Sequence, residues 1–368
     1  MRHVLTGRVV QLARSRFEWY GRLVPYLVLV LSYLVYFPSA LGQPQKQNIE
    51  LFRAFEHSKW GYIDRNGKMI IKPQFDEVSG FSEGYAAVRV GDKWGYIDPA
   101  GKIVIKPQFS DAGLFSDGRA RVALVGGGPD GYINNAGEMV IKAEYCGASD
   151  FSEGLASVST NKDCSDFPGE RGIATEGFID RTGAMVIPTH FLSTWKFVDG
   201  LAPVKIGPHF GYINKLGVVV VAPRFDFAES FSEGMAKVGV RSENPDELYD
   251  LGYLDTRGDL VIKPSFHGAG DFSDGLALVR RPDGKLNYID KAGKVSIATD
   301  YESGQSFSEG LAAVHSNRGF GYIDKSGTVV VDFQFTEAEP FHQGIALVWK
   351  DGKAAYVDKT GKYIWRAH

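Results

Sequence analysis

The chain has 368 residues, and its 41 lysines and arginines are nearly balanced by 44 aspartates and glutamates. No stripe of basic residues stands out along it, so nucleic acid is not an expected partner. Glycine accounts for 44 of the 368 residues, a larger share than the roughly 7% that is usual in proteins. This excess indicates many tight turns and a single folded array rather than several enzyme domains.

Residues 1–42 differ from the rest of the chain. Five arginines precede an apolar run from Leu23 to Phe37, and Ala40-Leu41-Gly42 places small residues before Gln43. This order predicts a secretory signal peptide that is cleaved at or near Gln43. The apolar run is shorter than the roughly 20 residues of a membrane span, so an uncleaved anchor is the weaker alternative. Membrane attachment is expected only in that case, and residues 43–50 are predicted to be a linker.

Residues 51–368 contain one unit written nine times. Its clearest copy begins at Lys93 with Lys-Trp-Gly-Tyr-Ile-Asp, and we call this motif the box. The copy then turns at Pro-Ala-Gly and ends in an alternating tail at Val122. In eight copies the glycine position of the box lies 27 residues before the closing valine, so length varies only in the joint that follows. A constant frame with one elastic joint is typical of stacked supersecondary units. The box position is glycine in seven copies and differs in two: Gly61, Gly95, Gly131, Gly177, Gly211, Gly252, Asn287, Gly321 and Ala355.

Each unit is predicted to be a three-stranded antiparallel meander. Two short β-branched runs flank a turn that starts with Asp or Asn and has glycine three residues later in every copy, as at Asp98 and Gly101. This pairing is typical of a type I hairpin turn with a bulge. A proline such as Pro107 is expected to end the second strand, because it has no N–H to donate. The alternating tail supplies the third strand.

Two aromatic columns, six residues apart, lie between the second strand and the tail, as at Phe109 and Phe115. A small meander cannot bury these rings alone, so we expect them to pack between neighbouring units. An exposed aromatic column that stacks on sugars or bases is the alternative. Recurrence in eight copies favours the core.

The predicted fold is therefore all-β, a tandem array of nine meanders. An open, superhelical stack is preferred, because the array starts and stops in nearly the same phase and leaves no strand for a shared blade. A closed ring resembling a β-propeller is the alternative.

The repeated Trp-Gly-Tyr-Ile-Asp, Gly-Lys, Pro-x-Phe and Phe-Ser-Glu-Gly motifs resemble those of the WG-repeat, or KWG-repeat, family over about residues 51–365. The tryptophan is kept only at Trp60 and Trp94. The resemblance implies a bacterial repeat protein with a binding or scaffolding role, and it supplies no catalytic residue.

The residues themselves offer little chemistry. The aspartate column has a role in its turns, the histidines lack metal-ligand spacing, and a serine repeated in every tail is not a unique nucleophile. We therefore expect no enzyme activity, cofactor or metal site. Cys146 and Cys164 are the only cysteines, and in an exported protein they are most simply a disulfide pair. Two free thiols are the alternative.

The longest joints, residues 159–176 and 241–251, are expected to project from one edge of the array. They carry acidic side chains that are candidate contacts with a partner, namely Asp163, Asp166, Glu170, Glu243, Asp246 and Glu247. The sequence thus predicts an exported, non-catalytic protein, located in the periplasm, at the cell surface or outside the cell. It would act as a protein-interaction scaffold, with a cell-wall or glycan-binding module as the alternative.

Overall fold

The computed structural model describes residues 50–124, 126–160 and 176–367. These residues form 35 strands and no helix, grouped into nine antiparallel sheets, or blades, in chain order. Blades 1 to 3 contain β1 (Leu51–Glu56), β2 (Lys59–Asp64), β3 (Met69–Phe75); β4 (Glu77–Val78), β5 (Ala86–Val90), β6 (Lys93–Ile97), β7 (Ile103–Phe109); and β8 (Asp111–Ser116), β9 (Arg119–Ala123), β10 (Asp130–Ile133), β11 (Met139–Tyr145). Blades 4 to 6 contain β12 (Gly147–Ala148), β13 (Leu155–Ser159), β14 (Glu176–Asp180), β15 (Met185–Phe191); β16 (Ser193–Thr194), β17 (Leu201–Ile206), β18 (His209–Asn214), β19 (Val219–Phe225); and β20 (Phe227–Ser232), β21 (Met235–Arg241), β22 (Tyr249–Asp255), β23 (Leu260–Phe266). Blades 7 to 9 contain β24 (Gly268–Ala269), β25 (Leu276–Arg280), β26 (Leu286–Asp290), β27 (Val295–Ala298); β28 (Ser303–Gly304), β29 (Leu311–Ser316), β30 (Gly319–Asp324), β31 (Val329–Phe335); and β32 (Glu337–Ala338), β33 (Ile345–Lys350), β34 (Lys353–Asp358), β35 (Tyr363–Arg366).

Eight of these blades have four strands, which corrects the predicted three-stranded meander. In each unit, the segment that follows the second predicted strand does more than connect units. It forms a short strand that pairs with the tail strand of the next blade. In blade 2, for example, β4 pairs with β5 through Glu77 opposite Arg89 and Val78 opposite Val88. We call this short first strand of blades 2 to 9 the inner strand. Blade 1 has three strands among the described residues.

The predicted hairpin turns are confirmed. The carboxylate of Asp98 accepts hydrogen bonds from the backbone N–H groups of Ala100 and Lys102, at 3.0 and 2.9 Å. Gly101 has a φ of 79°, in the left-handed region that glycine enters without steric cost. The repeated aspartate therefore serves the turn, as its spacing indicated.

Proline does not end the second strand, which corrects another expectation. In blade 2, Trp94 pairs with Phe109 and Tyr96 with Ile105, so three residues of β7 bulge out opposite Gly95. A Cβ at Gly95 would lie 2.6 Å from the nitrogen of Pro107. Glycine is thus required because the bulge lies directly on it, and proline fits because a bulged residue need not donate to the ladder.

The aromatic columns form the core between blades, as predicted. Phe115 of blade 3 is 1% exposed and packs edge-on against Tyr96 of blade 2, with ring centroids 4.9 Å apart. The same cluster contains residues from both blades. Every blade therefore completes the core of its neighbour, as expected when single units are too small to bury their own rings.

The nine blades form a closed ring. Phe52 and Ala54 of blade 1 share a buried cluster with Ile345 and Leu347 of blade 9, and the hydroxyl of Tyr356 donates a hydrogen bond of 3.0 Å to the carbonyl oxygen of Arg53. The preferred open array is not confirmed, whereas its alternative, the propeller-like ring, is. Closure needs no shared blade, because blades 1 and 9 meet through buried side chains and through the hydrogen bond from Tyr356.

Candidate binding cavity on the inner strands

The inner strands of blades 4 to 7 surround one cavity of about 730 Å³. Four successive blades reach it with the residues at and just after their inner strands, from Ser149 in blade 4 to Asp271 in blade 7. Because these segments of different blades meet around a common space, we infer that the inner strands face the ring axis. The cavity is therefore part of the central region that the ring encloses.

The third residue from the start of each inner strand holds a constant backbone position. In seven of the nine blades, the box tyrosine donates its hydroxyl to the carbonyl oxygen of this residue in the following blade, as Tyr62 does to Ser79 at 2.8 Å. The box residue of blade 4 is Phe178, which has no hydroxyl. We call the residues at this position in blades 2 to 9 the rim column. They are Ser79, Gly113, Ser149, Trp195, Glu229, Gly270, Gln305 and Glu339.

The side chains of the rim column differ from blade to blade, although its backbone is equivalent. They include two glycines, two serines, two glutamates, a glutamine and one tryptophan. The contact between blades at this position involves only the backbone carbonyl. The side chain can therefore vary and contact a ligand, while the backbone that carries it is held rigidly. The rim column is thus the part of the repeat that is best placed to determine what the ring binds.

Trp195 is the large apolar member of the rim column, and 49% of it is exposed. Its backbone is fixed, because its N–H donates to the carbonyl of Pro203 at 3.1 Å. The box tyrosines of the repeat, by contrast, are all buried. An exposed indole held on a rigid strand at a cavity is an arrangement typical of an interface anchor.

Charged groups of blades 6 and 7 line the same cavity as Trp195. The ammonium group of Lys237 lies 2.8 Å from a carboxylate oxygen of Glu229 and 3.7 Å from one of Asp271. The hydroxyl of Ser230 donates to the carbonyl of Lys196 at 2.9 Å. These contacts hold the carboxylates in place, so the cavity presents an apolar indole next to ordered polar groups.

A buried carboxylate lies on the blade 4 side. Glu176 accepts hydrogen bonds through one carboxylate oxygen from the N–H and the hydroxyl of Thr194, at 2.7 and 2.8 Å. Burial nevertheless raises the pKa of Glu176 above its usual range, and the two bonds from Thr194 offset this only partly. A proton on Glu176 is therefore favoured in the folded protein relative to the unfolded chain.

The predicted loop residues are separate from this cavity's lining. Glu243, Asp246 and Glu247 lie in the hairpin between β21 and β22. The carboxylate of Glu247 binds the guanidinium of Arg280 in blade 7 at 2.8 and 3.2 Å, so hydrogen bonding from Arg280 lowers its pKa. Glu243 and Asp246 are exposed.

Most of the other predicted residues lie outside the part of the chain that the structure describes. Asp163, Asp166, Glu170 and Cys164 lie outside the described residues, as do the predicted signal peptide and most of the linker. Cys146 follows β11, and its N–H donates to the carbonyl of Ser159 at 3.2 Å. The disulfide with Cys164 stays a prediction. The sequence did not single out Trp195, and the signal was available, because it interrupts a column of small and polar residues.

Within residues 50–124, 126–160 and 176–367, no group of three or more His, Cys, Asp or Glu side chains is arranged to hold a metal ion. The same residues contain no helix that is long and apolar enough to span a membrane.

The fold and the rim column define a ring-shaped β-repeat protein with propeller-like blades. A model of the WG containing repeat matches eight segments of the chain, at residues 60–94, 94–126, 131–162, 177–207, 210–241, 252–285, 288–317 and 320–353. The chain therefore belongs to the WG-repeat family, which confirms the resemblance seen in its sequence motifs.

Several solved structures are similar at low identity. The computationally designed Ika8 protein is 13% identical, with 84% of this chain and 99% of that one covered and a TM-score of 0.46. BamB from Moraxella catarrhalis is 11% identical over 83% and 96%, with a TM-score of 0.40. Hsv2p from Kluyveromyces lactis is 10% identical over 67% and 92%, with a TM-score of 0.39. No match was found among curated proteins.

Proposed function

We propose that this chain is an exported, non-catalytic scaffold that binds a partner protein through the cavity on the inner strands of blades 4 to 7, with Trp195 as the anchor. The exposed indole of Trp195 carries this proposal. Tryptophan is among the side chains that contribute most to protein interfaces, and it does so best where neighbouring groups exclude water. Residues of blades 4, 6 and 7 line the same cavity and would exclude water from it once a partner is bound.

The expected partner surface is a protruding apolar side chain bordered by polar groups. An apolar group would stack on Trp195, while Glu229 and Asp271 would accept hydrogen bonds or face a basic residue. Because Lys237 already lies between these two carboxylates, the charge that remains for the partner is modest. Apolar contact is therefore expected to dominate affinity, and added salt should weaken binding only slightly.

The test is direct binding to the partner. A partner captured from envelope proteins by the full chain would be identified and purified, and its affinity measured by calorimetry for the parent, Trp195→Ala and Leu216→Ala. Leu216 is the control, since it is 84% exposed and lies in the turn between β18 and β19, outside both candidate contacts. We expect Trp195→Ala to weaken binding about tenfold or more, with Leu216→Ala unchanged. Equal affinities for parent and Trp195→Ala would reject the cavity as the site.

The hairpin loops remain a separate candidate contact. Shortening residues 242–248 to the length of the β5–β6 joint tests them, and weaker binding that Trp195→Ala weakens further would add the loop to the same interface. Because Glu247 binds Arg280, the shortened variant must be checked for folding by circular dichroism before its affinity is interpreted.

Glycan binding is the second candidate, and one observation favours it. The indole of Trp195 shares its cavity with the carboxylates of Glu229 and Asp271 and with the hydroxyls of Ser149 and Ser230. An aromatic face beside fixed carboxylates and hydroxyls can also bind a sugar ring. Isolated cell wall and envelope proteins should therefore be compared as baits. Trp195-dependent retention on cell wall alone would favour the glycan module over the protein scaffold.

A further inference from the structure

Among the described residues, strand β1 is the outermost strand of blade 1 on the side where the other blades carry an inner strand. Residues 34 positions apart are equivalent, so Arg53 in β1 corresponds to Ala87 in β5. The carbonyl oxygen of Ala87 accepts the N–H of Ser79, beside the inner strand, at 2.9 Å. The carbonyl oxygen of Arg53 instead accepts the hydroxyl of Tyr356 at 3.0 Å. A side chain thus occupies the acceptor that strand pairing uses elsewhere.

A cavity of about 440 Å³ lies along this edge of β1. Its lining comes from three blades, with Phe52 from blade 1, Phe81 from the connection in blade 2, and Gln343 and Tyr356 from blade 9. Phe81 is only partly buried, whereas its equivalent Phe115 is 1% exposed. The cavity therefore exposes apolar surface that the same fold covers between other blades.

Gln343 adds an unused hydrogen-bond acceptor to the same cavity. Its side-chain oxygen is buried and has no partner among the described residues. The equivalent residue in blade 8, Glu309, accepts the N–H of Gly344 at 2.8 Å. A buried acceptor without a donor costs free energy, so an added backbone N–H would be favourable at this point.

The other eight blades show what fits such an edge. Each supplies a short extended segment with a phenylalanine four residues after its first paired residue, and that ring packs edge-on against the box aromatic of the preceding blade, as Phe231 does against Tyr212 at 5.4 Å. Tyr356 contacts Phe52 instead, at 5.7 Å. In the sequence, the residue 34 positions before Phe81 is Gln47, so the repeat pattern has no phenylalanine at the corresponding position.

Phe55 indicates the chemistry of the residue that would begin the added strand. It corresponds to Arg89, which lies opposite the first inner-strand residue, Glu77, and forms an ion pair with it. Phe55 is 42% exposed and packs against Trp60 in a tilted arrangement, with ring centroids 5.0 Å apart. An apolar side chain, rather than an acidic one, would therefore be favoured opposite Phe55.

We propose that blade 1 binds an extended segment of a partner protein as its fourth strand, and that the segment carries an apolar residue followed four positions later by phenylalanine. Backbone pairing to β1 would provide affinity, and contacts with Phe55 and with the cavity at Tyr356 would provide specificity, as in other cases of strand addition. The hydroxyl of Tyr356 then turns from Arg53 to a carbonyl of the bound segment, the acceptor that box tyrosines use between other blades. This edge is separate from the Trp195 cavity and does not depend on it.

The probe is a synthetic peptide that copies residues 226–233 of the chain, Asp-Phe-Ala-Glu-Ser-Phe-Ser-Glu. It has phenylalanine at both required positions, and its fluorescently labelled form is titrated with the full chain while polarisation is measured. The control peptide has alanine in place of the second phenylalanine. We expect saturable binding of the probe and about tenfold or weaker binding of the control. Absence of binding, or equal binding of the two peptides, would overturn the proposal.

Two protein variants locate the binding site. Gly80→Leu adds a side chain at the cavity wall, where a Cβ meets no atom within 4 Å, and leucine already occupies the equivalent position as Leu114. Ser306→Leu places the same side chain at the equivalent position of blade 8, away from this cavity, and also removes a long hydrogen bond of 3.4 Å to the carbonyl of Asp271. The probe should bind less tightly to Gly80→Leu and unchanged to Ser306→Leu. Equal effects of both variants would overturn the location, and a concentration-dependent dimer that the probe dissociates would replace the partner with a second copy of this chain.

Discussion

The hydroxyl of Tyr356 donates a hydrogen bond of 3.0 Å to the carbonyl oxygen of Arg53, 303 positions earlier in the chain. Seven other box tyrosines make the corresponding bond to the blade that follows them. Blade 9 has no following blade in the sequence, and its tyrosine finds blade 1. One hydrogen bond of the repeat thus serves both as the link between neighbours and as the closure of the ring.

Closure predicts that Tyr356→Phe destabilises the protein as much as a substitution inside the array. Loss of this hydrogen bond is expected to cost about 1 kcal/mol of unfolding free energy. The matched control is Tyr96→Phe, which removes the bond of 2.8 Å to Gly113. Urea unfolding followed by tryptophan fluorescence measures both. A loss for Tyr96→Phe alone would mean that the hydrogen bond between Tyr356 and Arg53 adds no stability.

The aromatic core predicts large and local losses on truncation. Phe115→Ala and Phe231→Ala should each cost about 3–5 kcal/mol, the usual range for a buried phenylalanine. Both rings are nearly fully buried. Phe55→Ala is the control, and because Phe55 is exposed it should change stability by about 0.5 kcal/mol or less. Chemical denaturation compares the three variants. A small effect at Phe115 or Phe231 would mean that the ring does not belong to the core between blades.

The box glycine predicts a steric asymmetry between blades. Gly95→Ala places a Cβ 2.5 Å from the carbonyl oxygen of Ile105, so the bulge must shift, at an expected cost of about 1–3 kcal/mol. Ala355 occupies the same position in blade 9, where β34 and β35 pair without a bulge opposite it. Ala355→Gly should cost only about 0.5–1 kcal/mol, the entropic penalty of glycine in a strand. Thermal unfolding gives both values, and equal losses would contradict the bulge argument.

Much of this fold could be predicted from one sequence. The repeat frame, the turn at Asp98 and Gly101, and the burial of Phe115 all follow from local spacing and from the inability of one unit to bury its rings. The role of Gly95 could not be predicted, because it depends on a bulge in another strand. The fourth strand was missed for a similar reason, since two residues such as Glu77 and Val78 are too short for a recognisable period.

Closure and the candidate site were harder to predict. Whether an array is open or closed depends on the small rotation between neighbouring blades, and no single residue encodes that angle. The Tyr356–Arg53 contact joins positions that no local pattern relates. Trp195 was visible in the sequence, but its exposure depends on which way the third residue of an inner strand faces. The sequence favoured the acidic loops instead. One of their carboxylates, that of Glu247, forms an ion pair with Arg280 inside the protein.

The buried carboxylate of Glu176 predicts a pH dependence of stability. Its folded pKa is raised, chiefly by burial, above the unfolded value of 4.5. Its favourable contribution is therefore complete below pH 4.5 and is lost as the pH rises through the folded pKa. Glu176→Gln keeps an acceptor for Thr194 and removes the buried charge, so the variant should be more stable than the parent at pH 7, with a difference that shrinks toward pH 4.

Asp180, at the other end of β14, is a control with the opposite sign. Hydrogen bonds from Thr182 lower its folded pKa below 3.8, so its contribution is present above pH 3.8 and is lost as the pH falls. Asp180→Asn keeps the turn, because asparagine fills the same position at Asn134 and Asn214, and it should be less stable than the parent at pH 7. Urea titrations of parent and both variants from pH 4 to pH 7 measure the three curves. If Glu176→Gln is less stable than the parent at pH 7, as Asp180→Asn is expected to be, the carboxylate of Glu176 is not held in a destabilising environment.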